Sequence, residues 1–177
     1  MTPDGKLLLS ADRDSDAISI VDVASRKVLA SIPVGKRPFG ITIDMRGERA
    51  YTANVKSDDA TVIDIAARKV VGSVKTGRRP YAVALAQGKG FVTDQYGGTV
   101  TVFDLATLAP VKRIDTCDHA EGIEADAGEK MFTSRAGAKT FCFASILKLA
   151  VTGRGQPLTG RAPSVSFFVK FCRVTGL

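Results

Sequence analysis

Along this chain short apolar runs alternate with turn-forming clusters, and the runs do not follow the 3.6-residue period of a helix. Leu7 to Ala11, Ala17 to Val23 and Val28 to Val34 predict three strands, separated by the polar loop Asp12 to Asp16 and the turn Ala24-Ser25-Arg26-Lys27. Phe39 to Asp44, Ala50 to Asn54, Ala60 to Ile65 and Lys69 to Lys75 predict four more. Tyr81 to Ala86, Gly90 to Asp94, Thr99 to Leu105 and Val111 to Asp115 predict another four, with Gly97-Gly98 read as a primed hairpin turn. Gly122 to Asp126 and Lys130 to Ser134 begin a further set, and after Arg135 the pattern loses its register.

The sets are copies of one unit. Asp22, Asp64 and Asp104 close the runs I-S-I-V-D, A-T-V-I-D and V-T-V-F-D at spacings of 42 and 40 residues. Asp12, Asn54 and Asp94 keep the same two spacings, and the pairs Gly35 and Gly77, and Pro38 and Pro80, are each 42 apart. A period near 40 residues built of strand-like segments predicts propeller blades. The expected fold is therefore all-β: an open, incomplete arc of four-stranded antiparallel blades. Residues 1–37 form a partial blade, 38–79 and 80–119 a blade each, and 120–135 the start of the next. Residues 136–177 form an irregular tail, either a divergent C-terminus or a frame-shifted reading of the fourth blade.

Each blade of such a fold packs both faces on its neighbours, which calls for short strands rich in Val, Ile and Thr. One blade cannot bury its faces alone. Asp22, Asp64 and Asp104 are expected to cap the amides of the turn that follows, and Asp12, Asn54 and Asp94 to do the same after the second strand. A ligand-binding role for these acids is the alternative.

Antiparallel connectivity puts two kinds of loop on one rim. The loops entering the inner strands carry Lys36-Arg37, Arg78-Arg79 and Asp118-His119; those between second and third strands are Asp12 to Asp16, Asn54 to Asp59 and Asp94 to Gly98. Lys36, Arg37, Arg78, Arg79 and His119 are the candidate ligand-binding residues. Arg37, Arg79 and His119 would form an anion site around the central channel; the competing reading pairs these bases with the acidic loops of the same rim. Phe39 and Tyr81 are expected to face inward between blades. His119 is the only histidine. That excludes a multi-histidine metal site, and no nucleophile motif lies beside it, so neither catalysis, nor a metal, nor a cofactor is expected.

Composition adds little. The formal charge of +7 suits nucleic acid, anionic lipid or acidic partners, or serves solubility alone. Cys117, Cys142 and Cys172 are odd in number, form no metal-type pair and read as incidental or buried thiols. No run of about 18 apolar residues predicts a membrane span, and no signal peptide is visible after Met1.

These residues resemble the YVTN-repeat β-propeller family. Its signature tetrapeptide is matched by Tyr51-Thr52-Ala53-Asn54 and Phe91-Val92-Thr93-Asp94, and more loosely by Leu9-Ser10-Ala11-Asp12. Its P-D-G-K turn is Pro3 to Lys6, its V-I-D strand end Val62 to Asp64, and its glycine-x-x-proline loop Gly35 to Pro38 and Gly77 to Pro80. In Cys117 to Ile123 a cysteine stands for that glycine and Ala120 for the proline. The resemblance spans about residues 1 to 135. It implies a propeller of usually seven blades, often in exported or periplasmic bacterial proteins, among them accessories of quinoprotein dehydrogenase systems. The expected role is a non-enzymatic scaffold that binds a protein partner or anionic ligand at the rim. A nucleic-acid-binding propeller and a gene fragment with no function of its own are the alternatives. Open blade faces and unpaired strand edges predict self-association.

Overall fold

The computed structural model describes residues 1–116 and 118–125 and the strands at 131–135 and 141–142. Strands β1 (Leu7–Asp12), β2 (Ala17–Asp22) and β3 (Val28–Pro33) form the first sheet. Strands β4 (Pro38–Ile43), β5 (Arg49–Asn54), β6 (Asp59–Asp64) and β7 (Lys69–Lys75) form the second. Strands β8 (Pro80–Ala86), β9 (Lys89–Asp94), β10 (Thr99–Asp104) and β11 (Pro110–Asp115) form the third. Strands β12 (Ala120–Ala125), β13 (Met131–Arg135) and β14 (Phe141–Cys142) form the fourth. Every pairing is antiparallel between chain neighbours.

The repeat is kept to the level of irregularities. The register shifts at the start of each inner strand, at Pro38/Ile41, Pro80/Val83 and Ala120/Gly122. It shifts again where third and fourth strands pair, at Ile20/Val21, Val62/Ile63 and Val102/Phe103. These bulges increase local twist, which four short strands need in order to fan out from an axis.

Among the described residues packing runs between consecutive sheets, with β4 against β1 and β8, and β8 against β12. Three apolar cores lie in the gaps. Leu9, Ile18, Ile20 and Ile32 meet Ala50, Ile63 and Ile65; Tyr51, Ala53, Val62 and Val74 meet Val83, Val92 and Phe103; Phe91, Val100 and Ile114 meet Ile123. The middle strands are buried on both faces, so β5 and β9 read as continuous apolar and Thr runs rather than alternating ones. Inner strands touch closely: a Cβ on Gly40 would lie 2.5 Å from the Tyr81 carbonyl oxygen.

Three features depart from the sequence pattern. Chain register is lost after Arg135, yet β14 still pairs with β13 through Thr133 with Cys142 and Ser134 with Phe141. The rest of the tail, the frame-shift reading of it, and Cys117 and Cys172 lie outside the described residues. Gly97-Gly98 is no primed turn: only Gly98 has positive φ, and the Gly97 amide donates to the Asp94 carbonyl. This is the same loop that Asp16 and Asp58 close with positive φ in the first two sheets, so the shared backbone, not the glycine pair, sets its shape. Finally, Phe39 is 41% exposed rather than inserted between blades. The close approach at Gly40 brings its ring 4.2 Å from that of Tyr81, and the two stack at the rim.

Candidate functional site

The rim is assembled by backbone geometry. Arg37, Arg79 and His119 all take positive φ, as do Asp16, Asp58 and Gly98 in the loops beside them. Non-glycine residues there carry strain, so each loop is held from outside. The Val55 and Lys56 amides donate to the Arg37 and Lys36 carbonyls, and the Gln95 and Tyr96 amides to those of Arg79 and Arg78. Carboxylates then tie one sheet to the next: Asp16 Oδ1 accepts from the Arg37 amide and Asp58 Oδ1 from the Arg79 amide, each at 2.8 Å. At the third loop Gly98 has no such carboxylate, and the His119 amide donates to the Gln95 carbonyl instead, at 3.1 Å.

Beneath these loops lies a buried polar layer. Asp94 accepts from Thr99 Oγ1 at 2.7 Å, Thr101 Oγ1 at 2.8 Å and the Gly77 amide at 2.9 Å. Asn54 reverses the polarity, donating through Nδ2 to Asp59 Oδ1 at 2.6 Å and Thr61 Oγ1 at 2.8 Å. Where the strand ends in an acceptor the cross-strand partner is a donor, and the reverse. Asp12 accepts from Ser19 in the first sheet. These side chains therefore join strands and, at Asp94, reach the entering loop; the turn amides after them bond to backbone carbonyls. That corrects the expected capping role for Asp12, Asn54 and Asp94. The layer also explains the loop glycines: a Cβ on Gly35 would lie 2.5 Å from Asn54 Nδ2, and one on Gly77 2.4 Å from Asp94 Oδ2.

At the opposite end Asp22 accepts from the Ser25 amide at 2.7 Å, Asp64 from the Ala67 amide at 2.8 Å, and Asp104 from the Ala106 and Thr107 amides at 3.0 Å. The Ser25 hydroxyl and amide hold Asp22 below the usual carboxylate range, and the Thr107 amide and hydroxyl do so for Asp104. Their contribution to stability is present above the unfolded value and lost as pH falls through the depressed one.

Asp94 has the opposite sign. Burial raises its carboxyl above the usual range, against the lowering effect of Thr99, Thr101, the Gly77 amide and the Arg113 charge. Its contribution is full below the unfolded value and is lost as pH rises through the raised one. Asp94→Asn removes this titration. The melting temperature of the native chain minus that of the variant is therefore expected to grow on acidification from pH 7 through the carboxylate range. Melting curves across that window check it, and a difference that shrinks would contradict it.

The two basic pairs meet different surroundings. Lys36 Nζ lies 3.7 Å from Asp16 and Arg37 Nη1 3.8 Å from Asp14, so pairing with the acidic loop describes this part of the rim. Among the described residues no ion pair joins Arg78 or Arg79 to an acid. The repeat explains why: the position of Asp14 is taken by Lys56 in the next loop. Arg79 instead donates through Nη1 to the Tyr96 hydroxyl at 2.8 Å, its guanidinium 4.5 Å from the ring centroid and its Nε buried without a partner. His119 meets Tyr96 edge-on at 5.5 Å. Arg78, Gln95, Tyr96, Asp118 and His119 line an open recess of about 240 Å³.

Of the candidate residues, Arg78 and His119 are thus brought to one recess with Arg79 at its Tyr96 wall, while Lys36 and Arg37 belong to the neighbouring, neutralised gap. Gln95 and Tyr96 were not singled out from the sequence. Their signal was present as departures from the repeat, where Arg13-Asp14, Val55-Lys56 and Gln95-Tyr96 occupy equivalent positions. Among the described residues no group of three His, Cys, Asp or Glu is placed to hold a metal ion, and no helix is long and apolar enough to cross a membrane.

No protein-family model and no curated protein matches the chain. Solved structures do. The hydrazine synthase of Kuenenia stuttgartiensis superposes with a TM-score of 0.73 at 21% identity, over 80% of this chain and 42% of that one. The dihydro-heme d1 dehydrogenase NirN, in complex with DHE, superposes with a TM-score of 0.61 at 18% identity, over 76% of this chain and 32% of that one. Both contain β-propellers. The fold is a β-propeller. The chain spans less than half the length of either neighbour, and its described sheets are blades of an unclosed arc. Identities this low carry the propeller architecture and nothing of the neighbours' chemistry.

Proposed function

We propose that this propeller is a non-enzymatic binding scaffold of the YVTN-repeat type, and that its rim takes an anionic group of a partner at Arg78 and Arg79. The observation that carries the reading is the contrast between the two basic pairs: the side-chain charges of Lys36 and Arg37 have acids within 4 Å, and those of Arg78 and Arg79 form no ion pair among the described residues. A non-catalytic role is supported by the use of the rim's ionisable groups. Asp16 and Asp58 hold backbone amides, Asp94 is spent on the buried layer, and His119 lies against a ring. The motif resemblance extends the reading to an accessory of a quinoprotein dehydrogenase system.

With a labelled polyglutamate peptide as the probe, the Arg78→Ala, Arg79→Ala double variant is expected to lose about tenfold or more in affinity, as charge-assisted hydrogen bonds would predict. The Lys36→Ala, Arg37→Ala variant should lose less, because its acids already screen it. Equal losses from the two variants, or none from either, would refute the assignment. Fluorescence anisotropy at several salt concentrations reads both.

A single-stranded nucleic acid is the second reading, favoured by two exposed rings lying under guanidinium groups. Arg13 lies 5.8 Å from the Phe39 centroid and Arg79 4.5 Å from that of Tyr96. Under it, oligothymidylate binding weakens steeply with salt and Tyr96→Ala weakens it further through lost stacking.

A further inference from the structure

The repeat is broken beside the recess at Arg78. In the first two loops an aspartate at the positive-φ position sends a carboxylate across to the next entering loop. In the third loop that position is Gly98, and a Cβ built there would lie 3.1 Å from Asp118 Oδ1. The recess lined by Arg78, Gln95, Tyr96, Asp118 and His119 lies beside this loop.

The walls have a definite polarity. Gln95 is only 6% exposed, and its Nε2 donates to Glu121. The reverse amide orientation would set two oxygens against each other, so Nε2 is committed to Glu121. Its Oε1 is then a buried acceptor without a partner. Asp118 lines the recess with an exposed acceptor, and Arg78 supplies a cation that makes no ion pair within 4 Å among the described residues. The Tyr96 and His119 rings line the remaining side. The volume of about 240 Å³ is below the ~300–1,000 Å³ of drug-sized pockets and above the ~150 Å³ that holds a benzene.

We infer that this recess binds a carboxylate bearing an N–H group on the adjacent carbon, as in a free α-amino acid or a polypeptide C-terminus. The carboxylate pairs with Arg78, the N–H donates to Asp118, and an apolar or aromatic body lies against Tyr96 and His119. This rests on the rim reading above, from which it takes the role of Arg78, and adds a donor requirement that an anion site alone does not have.

The test is isothermal titration of the full chain with four probes. They are L-phenylalanine, phenylalaninamide without the carboxylate, 3-phenylpropanoate without the nitrogen, and N-acetylglycyl-phenylalanine with an amide N–H. Either L-phenylalanine or the peptide is expected to bind, the tighter of the two identifying the source. Loss of carboxylate or nitrogen should each weaken binding by about tenfold or more, the worth of one charge-assisted hydrogen bond. Asp118→Ala should remove the preference for the nitrogen without weakening 3-phenylpropanoate. If 3-phenylpropanoate matches L-phenylalanine and the peptide on the native chain, the inference is overturned, whatever the variant does. If no probe binds while polyglutamate still binds through Arg78 and Arg79, the inference fails and the rim reading stands; if polyglutamate fails too, both fall.

Discussion

Phe103→Ala is expected to destabilise the propeller by about 3–5 kcal/mol, the usual cost of truncating a buried phenylalanine. The ring is fully buried in the core between the second and third blades, with the Tyr51 ring 6.1 Å away and Val62 and Val92 in the same cluster. It lies directly over Gly90, where an added Cβ would fall 2.0 Å from Phe103 Cζ. Gly90→Ala therefore overpacks the same place, costing about 1–3 kcal/mol. In the double variant the new methyl enters the space the ring has left. The combined loss should be clearly smaller than the sum of the single losses, since the two positions touch. Urea denaturation of the three variants decides it. Additive losses would mean that Phe103 and Gly90 are not in contact.

The second large effect is expected at Asp94. Asp94→Ala deprives the buried Thr101 hydroxyl and Gly77 amide, and the half-buried Thr99 hydroxyl, of their shared acceptor. Unsatisfied buried donors put the cost at about 2–4 kcal/mol, with Thr101 Oγ1 still serving the Gly77 amide at 3.1 Å. Asp94→Asn should be far milder, because the equivalent site in the preceding blade already holds Asn54 against a threonine. Gly77→Ala alone should be severe, its Cβ meeting the carboxylate at 2.4 Å, and less costly on the Asp94→Ala background, where only the Cβ of residue 94, at 2.8 Å, still crowds it. Chemical denaturation of these variants tests the arrangement, and a Gly77→Ala that is equally costly on both backgrounds would break it.

These two sites show how differently parts of the molecule were legible. The strands, their order and the blade period could be read directly, since Asp22, Asp64 and Asp104 recur at 42 and 40 residues and each terminates a run that must be buried on both faces. The capping geometry of those three acids follows from local turn chemistry, which acts over a few residues. Asp12, Asn54 and Asp94 looked the same in sequence and turned out different. Their partners, Ser19, Thr61 and Thr101 across the hairpin and Gly77 in the next entering loop, are set by strand pairing and blade docking.

What the order of residues settled by itself was the architecture. A repeated unit with short β-branched strands and fixed turn residues has few ways to bury its faces other than stacking on copies of itself. The rim chemistry was decided only when the loops came together. Four bases, two pairs 42 residues apart, are equivalent in the repeat. Lys36 and Arg37 are neutralised because Asp14 and Asp16 come from the preceding blade, and Arg78 and Arg79 are not because Lys56 stands where Asp14 would. Charge state, the orphaned Gln95 oxygen and the recess itself are properties of side chains from different blades meeting at a few ångströms. Coulombic and hydrogen-bond energies fall off over that distance, so a pattern along the chain carries the residues and only the packed arc carries their pairing.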